Sequence, residues 1–144
     1  MKTRITLVSI MLLVCSLTMA QAQGKEKIQK YFSDAATEAK AASDPTEKRA
    51  ILENSLSKMT KALDVVATMS SVPSTDLAGV QRLRASIQEK HDALAGLNGQ
   101  TRIADEKLNA YANYLVQDME QADTIVTISL VTLLLIIIII ILIL

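Results

Sequence analysis

The residue best suited to proton transfer in this sequence is His91, the only histidine among 144 residues. Histidine changes charge near neutral pH, so it commonly serves as a general acid or base. His91 stands between Lys90 and Asp92, beside an apolar stripe of a predicted helix. A lone histidine in such a position is typical of a structural side chain, so we predict no catalytic role for it.

Other catalytic and metal-binding motifs are absent from the sequence. Cys15 is the only cysteine, so disulfide frameworks and zinc sites that need several Cys or His residues are excluded. There is no glycine-rich phosphate loop and no glycine-flanked nucleophilic serine. The close carboxylates are interpreted as solvated helix surface; they are Glu47 and Glu53, Glu89 and Asp92, and Asp105 and Glu106. We therefore predict that the protein is not an enzyme and has no catalytic, cofactor-binding or metal site.

The composition favours helices. Half of the residues are hydrophobic but only 3% are aromatic, with 4 glycines and 2 prolines, and these figures disfavour a β-sandwich or barrel. The 15 basic residues balance the 15 acidic ones, so no nucleic-acid partner is predicted. The length leaves room for one small domain.

The first 22 residues have the pattern of a secretory signal peptide. Two basic residues precede an apolar run from 5 to about 20, and Ala20 and Ala22 form a small-x-small site, which predicts cleavage after Ala22. A retained membrane helix is the weaker alternative, because roughly 20 apolar residues are needed to span a bilayer and this run is shorter. A lipid-modified Cys15 is weaker still, because this cysteine lies inside the apolar run.

A second apolar run, which we call the tail, covers the 20 residues of Ile125–Leu144. It contains no charge, glycine or proline, and as a helix it would extend about 30 Å, the thickness of a bilayer's hydrocarbon core. We predict a C-terminal transmembrane helix. A helix buried in a soluble fold is the weaker alternative, because a domain of roughly 100 residues could hardly enclose a helix that is apolar on every side.

A cleaved lipid-attachment signal is a further alternative for the tail, because no Lys or Arg follows it. Such a signal needs small residues at its attachment site, whereas the stretches at 110–112 and 113–115 each contain a tyrosine. We therefore predict a permanent, single-pass anchor. Together with the signal peptide, this predicts that residues 23–124 form an exported domain in the periplasm or outside the cell.

Apolar residues recur at helical spacing within 23–124 and predict four helices. Each stripe repeats at steps of three and four residues over much of its length, so its members share one face. The stripes are Ile28, Phe32, Ala35, Ala39 and Ala42; Leu52, Leu56, Met59, Leu63 and Val66, widened by Ala62, Val65 and Met69; Leu77, Val80, Leu83, Ile87, Leu94 and Leu97; and Ala104, Leu108, Tyr111, Leu115, Met119 and Ala122.

The strongest capping signal is found at the start of the second helix. Asp44 can accept hydrogen bonds from the first free amides, and Pro45 suits the first helical position, where no amide proton is needed. Glu47 stands at the third position, from which a carboxylate can reach back. These residues predict a helix that begins at Pro45.

Weaker signals bound the other helices. Ser74 or Thr75 is predicted to cap the third helix, which runs from about Asp76 to Leu97. Asn98 and Gly99 suit the left-handed turn that closes it. A fourth segment then begins near 101. Because no glycine or proline follows it, the fourth helix is predicted to run unbroken into the tail.

These stripes are compatible with a coiled coil between separate chains or with a bundle inside one chain. Each lasts only two to three heptads and Lys90 interrupts the third, which favours the bundle. The aromatic residues fall on the first and fourth helices and predict contact between them; they are Tyr31, Phe32, Tyr111 and Tyr114. The predicted fold is all-α: a small antiparallel bundle of three to four helices with a C-terminal transmembrane helix.

Three classes of function fit this organisation. The preferred one is a membrane-anchored interaction or structural module of the cell envelope, without catalysis. A small membrane-active or pore-forming protein is an alternative, although the tail has no polar stripe to line a pore. A bundle that binds a small ligand is another, although no convergent polar groups are evident. The predicted partners are the lipid bilayer and an unidentified protein, and a homo-oligomer is left open.

Overall fold

The computed structural model of the protein describes residues 24–122, 125 and 127–143, and these residues form helices and no strands. The helices are α1 (24–41), α2 (Pro45–Thr68), α3 (Ser74–Ala95), α4 (Leu108–Glu120) and α5 (Leu130–Ile143), with a 3₁₀ turn at Asp105–Lys107. The predicted signal peptide, its cleavage site and Cys15 lie outside the described residues. The prediction of an all-α fold is confirmed.

Helices α1 to α4 form a bundle. Near the start of α2, Arg49 Nη1 donates to the carbonyl oxygen of Leu94 near the end of α3, at 2.7 Å, so these two helices run antiparallel. On α1, Lys40 Nζ donates to Asn113 Oδ1 of α4 at 2.8 Å, so the first and last helices of the bundle are neighbours. The predicted contact between them is therefore confirmed.

The core is built mainly from the predicted stripes. Stripe residues no more than 2% exposed include Ile28, Phe32, Ala39, Leu52, Leu56, Met59, Leu63, Val66, Val80, Leu83, Ile87, Leu94, Leu108, Leu115 and Met119. Three predictions are wrong: Val65 is 41% exposed and Leu97 is 48% exposed, and Ala104 is exposed too. Leu97 lies beyond the end of α3 and Ala104 precedes the 3₁₀ turn, so neither continues a helical face.

The predicted start of α2 is confirmed, because Asp44 Oδ1 accepts a hydrogen bond from the Thr46 amide at 3.0 Å and Pro45 opens the helix. At α3 the prediction is wrong. The cap position is Pro73, and its carbonyl oxygen accepts from the Asp76 amide at 2.9 Å. Helix α3 begins one or two residues earlier than the serine and threonine signals suggested.

Helix α3 also ends earlier than predicted, at Ala95, because Gly96 takes the left-handed conformation with φ +74°. A Cβ atom at Gly96 would lie 2.7 Å from Arg102 Cβ, so this turn requires glycine. Asn98 and Gly99 are left-handed as well and shape the following turn.

Asp92 was interpreted from the sequence as solvated, and the structure corrects this. Asp92 is only 7% exposed, and its carboxylate accepts hydrogen bonds from Asn98 Nδ2 at 2.8 Å and Gln88 Nε2 at 3.0 Å. These bonds lower the pKa of the Asp92 carboxyl. The Asp92 side chain therefore holds the turn after α3 and is not part of the solvent-exposed helix surface.

Two buried cations also organise the bundle. Arg49 is 6% exposed and donates to the Ile103 carbonyl oxygen and to Asp105 Oδ1, at 2.5 and 2.9 Å, which ties the α3–α4 connection to α2. Lys90, which the sequence placed at a core position, forms an ion pair with Asp118 of α4 at 2.7 Å. Each buried charge is therefore matched by hydrogen-bond acceptors or by an opposite charge, as burial requires.

The fourth helix does not run unbroken into the tail, so this prediction is wrong. Helix α4 ends at Glu120 and α5 begins at Leu130. Between them, Ile125 and Ile128 are buried, and the Leu133 amide donates to the Ser129 carbonyl oxygen at 3.0 Å, which starts a new helix. Tertiary contacts impose this break, because the local sequence offers no glycine or proline.

Helix α5 packs against α2 and shares the bundle's core through Leu133, Ile136 and Ile140. A Cβ atom at Gly24, the first residue of α1, would lie 3.2 Å from Leu133 Cβ, so α1 and α5 start at the same end of the bundle. Among the described residues, no helix has both the length and the apolarity to cross a bilayer.

Replacing Leu63 by Asp should lower the free energy of unfolding by several kcal/mol, on the order of 3 to 5, because the new charge would have no partner in the core. Val65→Asp is the matched control: it adds the same charge to the same helix at an exposed position and should cost less than about 0.5 kcal/mol. Urea unfolding followed by circular dichroism measures both. Equal stability of the two variants would show that the stripe is not the core.

Candidate functional site

The most unusual surface of the described residues is helix α5. Its 14 residues, LVTLLLIIIIIILI, include a single polar side chain, Thr132, so the helix is apolar on every side. One side contains the buried core residues. The other side, which we call the outer face, consists of Val131, Ile138, Ile141 and Leu142.

The outer face is strongly exposed. Val131 is 64% exposed and Leu142 is 75% exposed. Five of the eight large apolar side chains exposed within the described part of the chain belong to α5. A concentrated apolar patch of this kind is typical of a surface that binds a membrane or another protein.

A groove with an apolar floor runs between α1 and the second half of α5. Its α5 side is formed by Ile137, Ile140 and Ile141, and its α1 side includes Lys27 and Lys30. Lys30 Nζ lies 2.7 Å from an Asp34 carboxylate oxygen, in an ion pair exposed to solvent. The groove therefore combines an aliphatic wall with basic side chains at its edge.

The start of α5 is fixed by three side chains that we call the clasp: Asp76, Ser129 and Thr132. Asp76 is only 4% exposed. Its carboxylate accepts hydrogen bonds from the Ser129 amide at 3.1 Å, from the Ser129 hydroxyl, and from the Thr132 hydroxyl at 2.7 Å. The clasp thus joins the first turn of α3 to the first turn of α5.

The environment of Asp76 favours its charged form. Burial raises the pKa of this carboxyl, but the hydrogen bonds from the Ser129 and Thr132 side chains and from the Ser129 amide lower it by more, so the pKa lies below 3.8. The partial positive charge at each helix N-terminus also favours an anion there. Asp76 is therefore a buried carboxylate with hydrogen-bond donors arranged around it.

Next to the clasp, the tail lies directly on the backbone of α3. A Cβ atom at Gly79 would stand 2.9 Å from Ile128 Cγ1 and 3.1 Å from Thr127 Oγ1. Glycine inside a helix weakens it by about 1 kcal/mol relative to alanine. Gly79 gives α3 the space that the tail occupies.

The structure places His91 beside the groove between α2 and α3, with Asp64, Arg84 and Gln88 among the residues that line it. Its Nδ1 atom is buried, has no hydrogen-bond partner among the residues that the structure describes, and lies 3.9 Å from Asp92 Oδ1. Within the residues the structure describes, no group of His, Cys, Asp and Glu side chains could hold a metal ion.

The aromatic residues form two pairs. The Tyr31 and Phe32 rings meet edge to face with centroids 5.1 Å apart, and those of Tyr111 and Tyr114 lie 5.8 Å apart. The Tyr31 hydroxyl donates to the Ser55 carbonyl oxygen at 2.7 Å, and burial raises the pKa of Tyr31 to about 12. These pairs belong to the packing of α1 and α4.

Sequence reasoning missed the clasp and Gly79. Two signals pointed to them: the hydroxyl residues of the tail cluster at its beginning, and Gly79 is one of only four glycines, inside a predicted helix. Neither signal identifies its partner, since Asp76 and Ser129 are 53 positions apart.

Comparison with known proteins yields no match to this chain among family models, curated proteins or solved structures.

Replacing Asp76 by Asn should lower the free energy of unfolding at neutral pH by about 1 to 3 kcal/mol, because the buried donors lose a charged acceptor. The pKa of Asp76 is lower in the folded state than in the unfolded chain. The stabilisation by its carboxylate is therefore fully present above the ordinary carboxyl pKa and is lost as the pH falls through the pKa of the folded state. The difference between wild type and variant should therefore shrink in strong acid.

The control is Asp64→Asn, which removes the same charge from an exposed ion pair with Arg84 and should change stability by less than about 1 kcal/mol. Urea unfolding across the acid range measures all three proteins. A loss at Asp76 no greater than the loss at Asp64 would contradict the clasp.

Proposed function

We propose that the protein is a non-catalytic helical module of the cell envelope, attached to a membrane by its tail. The observation that carries this proposal is the outer face of α5, where Val131, Ile138, Ile141 and Leu142 are exposed on an entirely aliphatic helix. Exposing such a surface to water is unfavourable, whereas contact with lipid chains removes this cost in free energy.

The attached form is proposed to be a single-pass helix over residues 125–144. Helix α5 alone would extend about 21 Å, less than the roughly 30 Å of a hydrocarbon core. The preceding residues of the tail, which carry no charge, would supply the missing length by joining the helix. Lys27, which lines the groove beside α5, suits the phosphate groups of a lipid surface.

The bundle is proposed to face the periplasm or the outside of the cell, in agreement with the predicted signal peptide. Its role there would be to bind a protein partner or to space components near the membrane. This role is supported by the hydrogen bonds and the ion pair that Arg49 and Lys90 make inside the bundle, because they stabilise its shape.

After high-salt and alkaline washing of membranes, the protein should remain in the pellet, because neither treatment weakens the insertion of about 20 apolar residues. Mass spectrometry of the extracted protein should find Leu144 as its C-terminus. A C-terminus between 109 and 124 would instead indicate a cleaved lipid-attachment signal.

Replacing both Ile138 and Ile141 by Asp should release the protein into the soluble fraction. The charge at 138 would lie nearer the middle of the span, where an aspartate costs about 2.5 to 3.5 kcal/mol, and the charge at 141 adds a smaller cost closer to its end. Both positions lie outside the bundle core. Val65→Asp, on the exposed side of α2, is the matched control and should remain membrane-bound. Retention of the doubly substituted protein would contradict attachment through the tail.

A further inference from the structure

The tail cannot occupy its place on the bundle and a bilayer at the same time. In the docked position, Leu133, Ile136 and Ile140 face the bundle core. A spanning helix would have to withdraw these side chains and take in the tail residues that precede α5, two of which, Ile125 and Ile128, are buried here. Attachment therefore requires the tail to leave the bundle.

Apolar packing does little to choose between these two positions. Lipid chains are as apolar as leucine, so an aliphatic helix gains no strong preference for a protein core over a bilayer. Since every side of α5 is aliphatic, packing also leaves undetermined which side meets the bundle. Directional contacts must decide both questions.

The clasp supplies these directional contacts. Asp76 accepts from the Ser129 amide and from the Ser129 and Thr132 hydroxyls, which fixes the rotation and register of α5 on the bundle. In a bilayer the two hydroxyls can bond to carbonyl oxygens of their own helix, and Asp76 is left to water. The hydrogen bonds of the clasp therefore exist in the docked position alone.

We infer that the clasp controls membrane attachment: while Asp76 binds Ser129 and Thr132 the tail stays on the bundle, and when these bonds break the tail enters a lipid bilayer. This inference rests on the proposed function and adds its regulation. The outer face of α5 makes the first contact with lipid, since it is exposed while the clasp is closed.

A disulfide between α1 and α5 tests the inference directly. Positions 24 and 133 suit one, because a Cβ atom at Gly24 would lie 3.2 Å from Leu133 Cβ, close to the roughly 3.8 Å of a disulfide. The chain is prepared as its predicted mature form, residues 23–144, with Gly24→Cys and Leu133→Cys, so that the apolar N-terminal run and Cys15 are both removed. Oxidation locks the tail on the bundle and reduction frees it, so one protein provides both states.

The probe is a vesicle of phosphatidylcholine with a minority of phosphatidylglycerol. After incubation with protein, the vesicles are floated through a density gradient to remove unbound protein, then treated with the protease Glu-C and floated again. Glu120 is the last glutamate in the sequence and is exposed, so cleavage there yields the fragment 121–144. Its amount in the floated vesicles, measured by mass spectrometry after reduction, reports the tail.

Three substitutions in the same mature form complete the test. Asp76→Asn opens the clasp and should raise the recovered fragment severalfold, whereas Asp64→Asn removes an equal charge elsewhere and should leave it unchanged. Gly79→Leu places a side chain where Ile128 lies but favours the α3 helix itself, so it should also raise the fragment severalfold. Circular dichroism verifies that each variant is folded.

The locked protein is expected to leave severalfold less fragment on the vesicles than its reduced form. If locking has no effect and Asp76→Asn matches Asp64→Asn, the clasp does not control attachment, although attachment itself stands. If no protein leaves fragment on the vesicles, both the inference and the proposed function are overturned.

Discussion

The Asp76 carboxylate is shared by the first turns of two helices, and the position of the tail depends on it. It accepts one amide and two hydroxyl hydrogen bonds from the start of α5, while its own residue belongs to the start of α3. Because both helix N-termini favour a negative charge, the ionised side chain stabilises both ends at once. The neighbouring Gly79 lets Ile128 approach the α3 backbone. Hydrogen bonding and close packing therefore hold the start of the tail at the same place on α3.

In the bundle, too, apolar packing and directional polar contacts have different roles. Aliphatic stripes provide most of the driving force for folding, but they are non-directional. The buried cations Arg49 and Lys90 bond to specific carbonyl and carboxylate oxygens, and these bonds set how α2, α3 and α4 meet. On the outer face of α5 no such polar contact exists among the described residues, which suits a surface covered by fluid lipid.

The sequence predicted those features that depend on neighbouring residues. The α2 stripe and its Asp44 cap are local, and both are confirmed. Features that join distant residues could not be predicted: Arg49 and Asp105 are 56 positions apart, and Asp76 and Ser129 are 53 apart, so spacing gives no signal. The break before α5 was missed for the same reason, because the contacts of Ser129 and Thr132 at the start of α5 are made with a distant helix. The signal peptide, the membrane anchor and the absence of catalysis stay predictions.

The central claim, that the tail has two positions, is tested most directly by a distance between spin labels on the bundle and on the tail. Labels at Gln81 of α3 and Ile138 of α5, both exposed, suit the full chain with Cys15→Ala. Our account predicts one narrow distance distribution in buffer and a second, longer distance when vesicles of phosphatidylcholine and phosphatidylglycerol are added. A single distribution that is unchanged by vesicles would contradict it.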